Sequence, residues 1–136
     1  MNNNKLTDLL DRPIAFHRAL VPVVGGVLPA LMLSQAIYWT KRTSDGWFWK
    51  TQGEWEAETG MGRREQETAR ARLRGTLFWK EELRGIPARM FFFIDMDLLM
   101  AALLGQGARH GDRRQATANA FAPLLEEAER AAKECG

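Results

Sequence analysis

The run from Asp45 to Asp95 constrains the fold more than any other part of this chain, because its turn residues cut it into a fixed order of short elements. It opens with an aromatic strand candidate, Trp47-Phe48-Trp49-Lys50-Thr51. A short amphipathic helix is expected next, Gln52-Gly53-Glu54-Trp55-Glu56-Ala57-Glu58-Thr59, closed by a tight Gly60-Met61-Gly62 turn. An arginine-rich helix follows, Arg63-Arg64-Glu65-Gln66-Glu67-Thr68-Ala69-Arg70-Ala71-Arg72-Leu73-Arg74. Two β-like runs, Leu77 to Leu83 and Ala88 to Asp95, then flank a basic turn, Arg84-Gly85-Ile86-Pro87.

Helix, tight turn, basic helix and β-hairpin is the order of a winged helix-turn-helix. Two helices joined by a glycine-bearing turn of three or four residues cross steeply, so the second projects from the body. A projecting helix fits the DNA major groove, where arginines reach phosphates and guanine edges. Here Arg63, Glu67, Arg70 and Arg74 recur at helical spacing on one face, with Ala69 and Leu73 on another. Five arginines against two glutamates leave this helix at +3. Charge alone is ambiguous, since Arg63–Glu67 and Glu67–Arg70 also read as weak pairs on a solvated face. The turn before the helix and the hairpin after it favour a nucleic-acid role. The residues expected at such an interface are Arg63, Arg64, Gln66, Glu67, Arg70 and Arg74 on the helix, with Lys80, Arg84 and Arg89 on the hairpin.

Composition bounds the alternatives. At 136 residues and 46% hydrophobic content, the chain suits one domain with a short appendage and an ordinary core. Its net charge of +2 excludes a protein that imitates DNA by acidity. The single cysteine, Cys135, allows no internal disulfide, which fits a reducing, cytoplasmic setting. From Ala19 to Thr40 no residue is charged, a length sufficient to span a bilayer. Pro22, Gly25, Gly26 and Pro29 break that run, and charges at Asp8, Asp11, Arg12 and Arg18 precede it, so neither a membrane span nor a signal peptide is expected. The piece from Val27 to Arg42 reads instead as a buried central helix, closed favourably against its dipole by Lys41 and Arg42.

The expected fold class is mainly α (α+β): a winged helix-turn-helix with a β-hairpin wing and an additional C-terminal helix. The domain covers residues 1–104, a glycine-rich basic linker covers 105–114, and the helix covers 115–136. Within the domain, Lys5 to Leu10 reads as a helical turn, Ile14 to His17 as a short strand, and Arg18 to Val24 as a short helix. Met96 to Leu104 reads as an apolar helix, with Asp95 or Asp97 as its N-cap. In the last segment Phe121, Leu125, Ala128 and Ala132 form an apolar stripe suited to a homodimer or to an intramolecular cap over the Met96–Leu104 helix.

Catalytic chemistry is harder to find. His17 and His110 stand far apart, and Cys135 has no CxxC partner, so no metal ligands are expected. Gly60-Met61-Gly62 lacks the lysine and further glycine of a phosphate-cradling loop, and no cofactor is expected. Nothing pairs a nucleophile with a base, so the chain reads as a binder and not an enzyme. The aromatic set of Trp47, Phe48, Trp49, Trp55, Trp79, Phe91, Phe92 and Phe93 reads mainly as core and wing cover, with base stacking the rarer use. Trp55 is expected against the Val27–Arg42 helix.

These residues also carry a resemblance. Arg12-Pro13-Ile14-Ala15-Phe16-His17, Ala30-Leu31-Met32-Leu33-Ser34-Gln35-Ala36-Ile37-Tyr38-Trp39, Asp45-Gly46-Trp47-Phe48-Trp49-Lys50-Thr51 and Glu54-Trp55 resemble the winged-helix domains of phage and plasmid-type replication proteins. The likeness covers about Arg12 to Leu104, and Arg63 to Arg70 looks like the recognition helix of that family. One departure is Gly62, where such a helix usually has a serine or threonine cap. The resemblance implies binding to double-stranded DNA in replication initiation or transcriptional regulation. The alternative is a phage-encoded module that grips a host or phage protein with the same basic face and inhibits a host complex.

Overall fold

The computed structural model describes residues 3–10 and 12–109. The elements run α1 (Asn3–Leu9), a 3-10 turn (Arg18–Leu20), α2 (Val21–Val24), α3 (Val27–Arg42), β1 (Phe48–Trp49), α4 (Gln52–Thr59), α5 (Arg63–Arg74), β2 (Trp79–Arg84), β3 (Arg89–Ile94) and α6 (Met96–Arg109). The class is α+β, a helical body with one three-stranded antiparallel sheet. The expected C-terminal helix 115–136, its stripe from Phe121 to Ala132, and the end of the expected linker lie outside the described residues.

Helix α3 is the axis. Its residues Ala30, Met32, Leu33, Ala36 and Ile37 are buried, as an almost uncharged sequence requires. The chain bends by 117° between Arg18–Val24 and α3, and among the described residues no helix is long and apolar enough to cross a membrane. Gly25 takes the left-handed conformation that ends α2 (φ 80°). Ser34 ties the entry segment to α3: its hydroxyl donates to Ala30 O at 2.7 Å and accepts from His17 N–H at 3.0 Å. That bond explains why Ile14 to His17 is not the strand the sequence suggests. The His17 backbone N–H goes to a helix side chain instead of a neighbouring strand, and His17 is exposed.

The sheet has the order β1-β3-β2, so β3 is central and β1 and β2 are edges. Phe92 pairs with Phe48 on one side and Glu81 on the other. Directly opposed residues share a sheet face. Trp79, Glu81 and Leu83 therefore lie with Ile94, Phe92 and Met90 on the face toward the helices, and Lys80, Glu82 and Arg84 lie with Phe93, Phe91 and Arg89 on the outer face. Phe92 organises the inner face, with ring centroids 5.6 Å from Phe48, 5.4 Å from Trp55 and 5.6 Å from Trp79. Trp55 thus finds its ring partners in the sheet, not on α3. Each such pair contributes about 0.5–1.5 kcal/mol beyond its buried area.

Boundaries moved where a polar side chain was recruited as a cap. β1 stops at Trp49 because Thr51 serves α4: its hydroxyl accepts from Glu54 N–H (3.1 Å), and its own N–H donates to the Glu54 carboxylate (3.2 Å). β3 ends at Ile94 because Asp95 accepts from Leu98 N–H and caps α6. β2 begins at Trp79 and not Leu77, because Thr76 donates through N–H and hydroxyl to Leu73 O and prolongs the turn. Helix α6 continues to Arg109, through Gly105 and Gly107, past the expected stop at Leu104. Glycine inside a helix costs about 1 kcal/mol but does not end it unless the backbone turns left-handed.

Two glycines separate backbone strain from crowding. Gly60 has φ 78° and open space where a Cβ would lie, whereas Gly46 (φ 84°) would place a Cβ 2.7 Å from the Phe93 ring. Gly60→Ala is expected to cost about 1–2 kcal/mol from conformation alone. Gly46→Ala should cost more, because a packed aromatic must also shift. Urea denaturation of both variants checks the order, and equal losses would contradict it.

Candidate nucleic-acid interface

Helix α5 is positioned by a buried stripe, Gln66, Ala69 and Leu73, spaced three and four residues apart and packed toward α3. Its start has half a capping box: the Glu65 carboxylate accepts from Gly62 N–H at 3.1 Å, and Gly62 has no side chain to return the bond. Gln66, expected at the interface, belongs to the body. It is 2% exposed, and its amide nitrogen donates to Gln52 O (3.0 Å) and Met61 O (2.9 Å). Both amide hydrogens are used to fix the turn between α4 and α5, so Gln66 cannot read a groove.

Arg70 also departs from expectation. Its Nε and Nη2 donate to the two Glu81 oxygens at 2.9 and 2.8 Å, a bidentate pair that docks α5 on β2. Trp79 Nε1 donates to the same carboxylate at 2.9 Å, and Arg74 Nη1 lies 3.5 Å from it. Burial pushes the Glu81 carboxyl up, but the bonds from Arg70 and Trp79 and the charges of Arg70 and Arg74 outweigh it and hold the group below its ordinary value. The Glu81 hydrogen bond in turn raises Arg70 above the ordinary arginine value. Arg70 is therefore a docking residue and not a free cation.

Of the expected interface residues, those that α5 exposes are Arg63, Arg64, Glu67 and the half-exposed Arg74. Arg63 and Glu67 form an exposed i,i+4 pair at 3.1 Å, which is worth little in water. Arg64 has no ion-pair partner among the described residues. Arg72 turns toward α2, where a Cβ on Gly25 would lie 2.6 Å from its Nη1.

The hairpin cations occupy the opposite, outer face of the sheet. The Arg84 guanidinium sits 4.4 Å over Trp47 and 4.8 Å over Phe91, and donates to Glu82 at 3.0 Å. Arg89 sits 4.2 Å over Trp49, and Trp47 stacks on Phe93 at 5.2 Å. The aromatic set thus divides by strand parity: Phe48 and Phe92, with Trp55 and Trp79, fill the core, while Trp47, Trp49, Phe91 and Phe93 cover the outer face. The nine expected interface residues fall into three groups. Gln66 and Arg70 are structural, Arg63, Arg64, Glu67 and Arg74 face outward on α5, and Lys80, Arg84 and Arg89 lie beyond the sheet. A groove of about 650 Å³ around the β2 edge, lined by Trp47, Arg74, Trp79, Lys80, Glu81 and Phe93, joins the last two groups.

A second clamp escaped sequence reasoning. Glu58 accepts from Gln35 Nε2 at 2.5 Å and Trp39 Nε1 at 2.6 Å, and forms an ion pair with the buried Lys50. The Lys50 ammonium lies 4.3 Å over the Trp39 ring. Burial raises the Glu58 carboxyl, and the bonds from Lys50, Gln35 and Trp39 more than reverse this, so its pKa is lowered. Only the odd burial of a lysine beside two tryptophans could have signalled it. Among the described residues, no group of three or more His, Cys, Asp or Glu side chains could hold a metal ion. Comparison with known protein families, curated proteins and solved structures finds no match to this chain.

Both clamps make stability depend on pH in one direction. Their folded pKa values lie below the ordinary 4.5, so their contribution is present above that pH and is lost as pH falls through the folded values. Glu58→Gln is expected to destabilise the protein at neutral pH by about 3 kcal/mol, because Lys50 is left buried and unpaired. The same variant should lose less stability than the natural chain on acidification below about pH 4.5. Thermal melts between neutral and acid pH check both outcomes.

Proposed function

We propose that the chain is a winged helix-turn-helix that binds double-stranded DNA, with α5 in the major groove and the β2–β3 hairpin against the backbone beside it. The observation that carries this reading is the outward face of α5. Arg63, Arg64 and Arg74 project there, while the buried stripe and the Arg70–Glu81 bridge hold the helix rigidly. A helix so fixed meets phosphates without ordering itself first, which keeps more of the interaction energy as affinity. The element order α3-β1-α4-α5-β2-β3 and the sheet order β1-β3-β2 support the same reading. A role in replication initiation or transcriptional regulation of a phage or mobile element is part of this proposal and rests on the sequence resemblance. A homodimer through residues 115–136 is proposed with it, from the apolar stripe of that segment.

A second reading draws on exposed apolar side chains. Ile86 at the hairpin tip and Leu83 beside it are 103% and 63% exposed. Together with the basic face they suit an acidic host or phage protein with an apolar centre.

Gel-shift titration separates the two. The natural chain should bind random duplex DNA at low salt with an affinity that falls steeply as salt rises, because phosphate contacts release counterions. The Arg63→Ala, Arg64→Ala, Arg74→Ala triple variant should bind about tenfold more weakly or worse, while staying folded with a slightly lowered melting temperature, since Arg74 adds only a 3.5 Å contact to the Glu81 clamp that Arg70 and Trp79 maintain. Duplex affinity equal to that of the natural chain in this variant would sink the DNA reading. Absence of binding by the natural chain at about 10 μM and low salt transfers the face to a protein partner.

A further inference from the structure

Between α2, the turn that leads into β2, and α6 runs a groove of about 380 Å³. Val23, Leu77, Phe78, Leu98, Ala101 and Gly105 line it, and no charged residue among those described does. Leu77 and Leu98 are 74% and 37% exposed, so apolar surface is left in water along its walls. Ala101 and Gly105 stand four residues apart on one face of α6, and a Cβ on Gly105 would meet nothing within 4 Å. Small side chains in such a row let a second helix approach closely and pack its own large side chains beside them.

The sequence of residues 115–136 carries matching features. Its stripe of Phe121, Leu125, Ala128 and Ala132 is uncharged, with the two largest side chains four residues apart. Around the stripe, Glu126, Glu127, Glu129 and Glu134 outnumber Arg130 and Lys133, so this segment stands at −2. The whole chain is at +2, which leaves residues 1–114 at +4. Two such segments therefore repel each other, whereas a segment and a body attract. Apolar faces alone do not choose between these pairings; charge does. The tether is long as well. Helix α6 runs to Arg109, and Pro123 with Glu126 and Glu127 after it reads as a helix start. The 13 residues 110–122 between them exceed the roughly 2–8 that join helices packed as neighbours in one body.

Resting on the homodimer reading above, we propose that the homodimer forms by exchange. The stripe of each copy packs into the groove between α2 and α6 of the other, and the two segments do not pair with each other. Phe121 and Leu125 fill the strip beside Ala101 and Gly105, and the acidic flanks lie over a basic body. Each copy gives one segment and one groove, so the contact closes on itself and leaves neither open to recruit a third copy. The outward arginines of α5 take no part, so association and duplex binding are separable.

Light scattering on the full chain and on two full-length variants gives the test, up to high micromolar concentration. Ala101→Glu sets a charge in the groove, at an exposed position where both residues are good helix formers. The Phe121→Ser, Leu125→Ser variant blunts the stripe and leaves the groove intact. The natural chain should be a dimer. Each variant alone should associate about tenfold more weakly or worse, because its dimer would bury an unpaired charge or lose its apolar anchors. An equimolar mixture of the two variants should regain a dimer, since the intact stripe of one meets the intact groove of the other. A mixture that stays monomeric overturns the exchange. Ala101→Glu associating as tightly as the natural chain overturns the groove as the dock and leaves a homodimer by segment pairing standing. A natural chain that stays monomeric overturns both this proposal and the homodimer reading, and is the result expected if each segment lies in its own groove.

Discussion

A single carboxylate, Glu81, decides where the basic helix stands. It gathers two bonds from Arg70, one from Trp79 and the charge of Arg74, and so fastens α5 to a strand eleven residues away in the sequence. Hydrophobic packing of Ala69 and Leu73 holds α5 against the body but is not directional. The planar guanidinium–carboxylate fork is directional, and it sets the rotation of α5 about its own axis. With that rotation fixed, the stripe of Gln66, Ala69 and Leu73 faces inward and Arg63 and Arg64 face outward. The helix surface is basic because its sequence is basic; it is an oriented surface because Glu81 holds it.

Glu58 does the equivalent work on the other side of the core. Its three donors come from α3 and from the connection between β1 and α4, so one side chain registers three segments. Burying such a pair gains little net stability, since desolvation consumes much of the attraction. Its value lies in geometry: a shifted α4 would strand the Lys50 charge in the core. The two clamps share a design in which a partly buried glutamate is surrounded by donors from aromatic and cationic side chains. They bracket Phe92, where the rings of Phe48, Trp55 and Trp79 converge.

Much of this architecture was legible in the residues. Gly60 and Gly62 delimit α4 and α5 to the residue, and Gly25-Gly26 with Thr43 delimit α3, because breaker residues act locally and their effect can be read locally. Strand parity was legible too, since alternation along β3 separates Phe92 from Phe91 and Phe93. The candidate site was less legible. Spacing placed Arg63, Arg70 and Arg74 on one face, yet Arg70 is spent on Glu81, because a helical wheel carries no information about a carboxylate on a distant strand. Gln66 looked like a reader of bases because glutamine often is one, and only the packing of α5 on α3 shows it buried. The strand expected at Ile14 to His17 failed for a similar reason: extended propensity does not supply a partner, and Ser34 took the hydrogen bond.

The edge position of β2 has a consequence for how copies of this chain behave in concentrated solution. An edge strand offers unpaired backbone groups to any neighbour that can extend the sheet. β2 reads Trp-Lys-Glu-Glu-Leu-Arg, with four charged residues in six. A second copy aligning on this edge would bring those charges against its own and would have to strip their water. The residues that dock α5 and cover the outer face therefore also discourage sheet growth. Removing Lys80 or Glu82, which lie on the outer face away from the core, would leave this edge less protected against fibrous association.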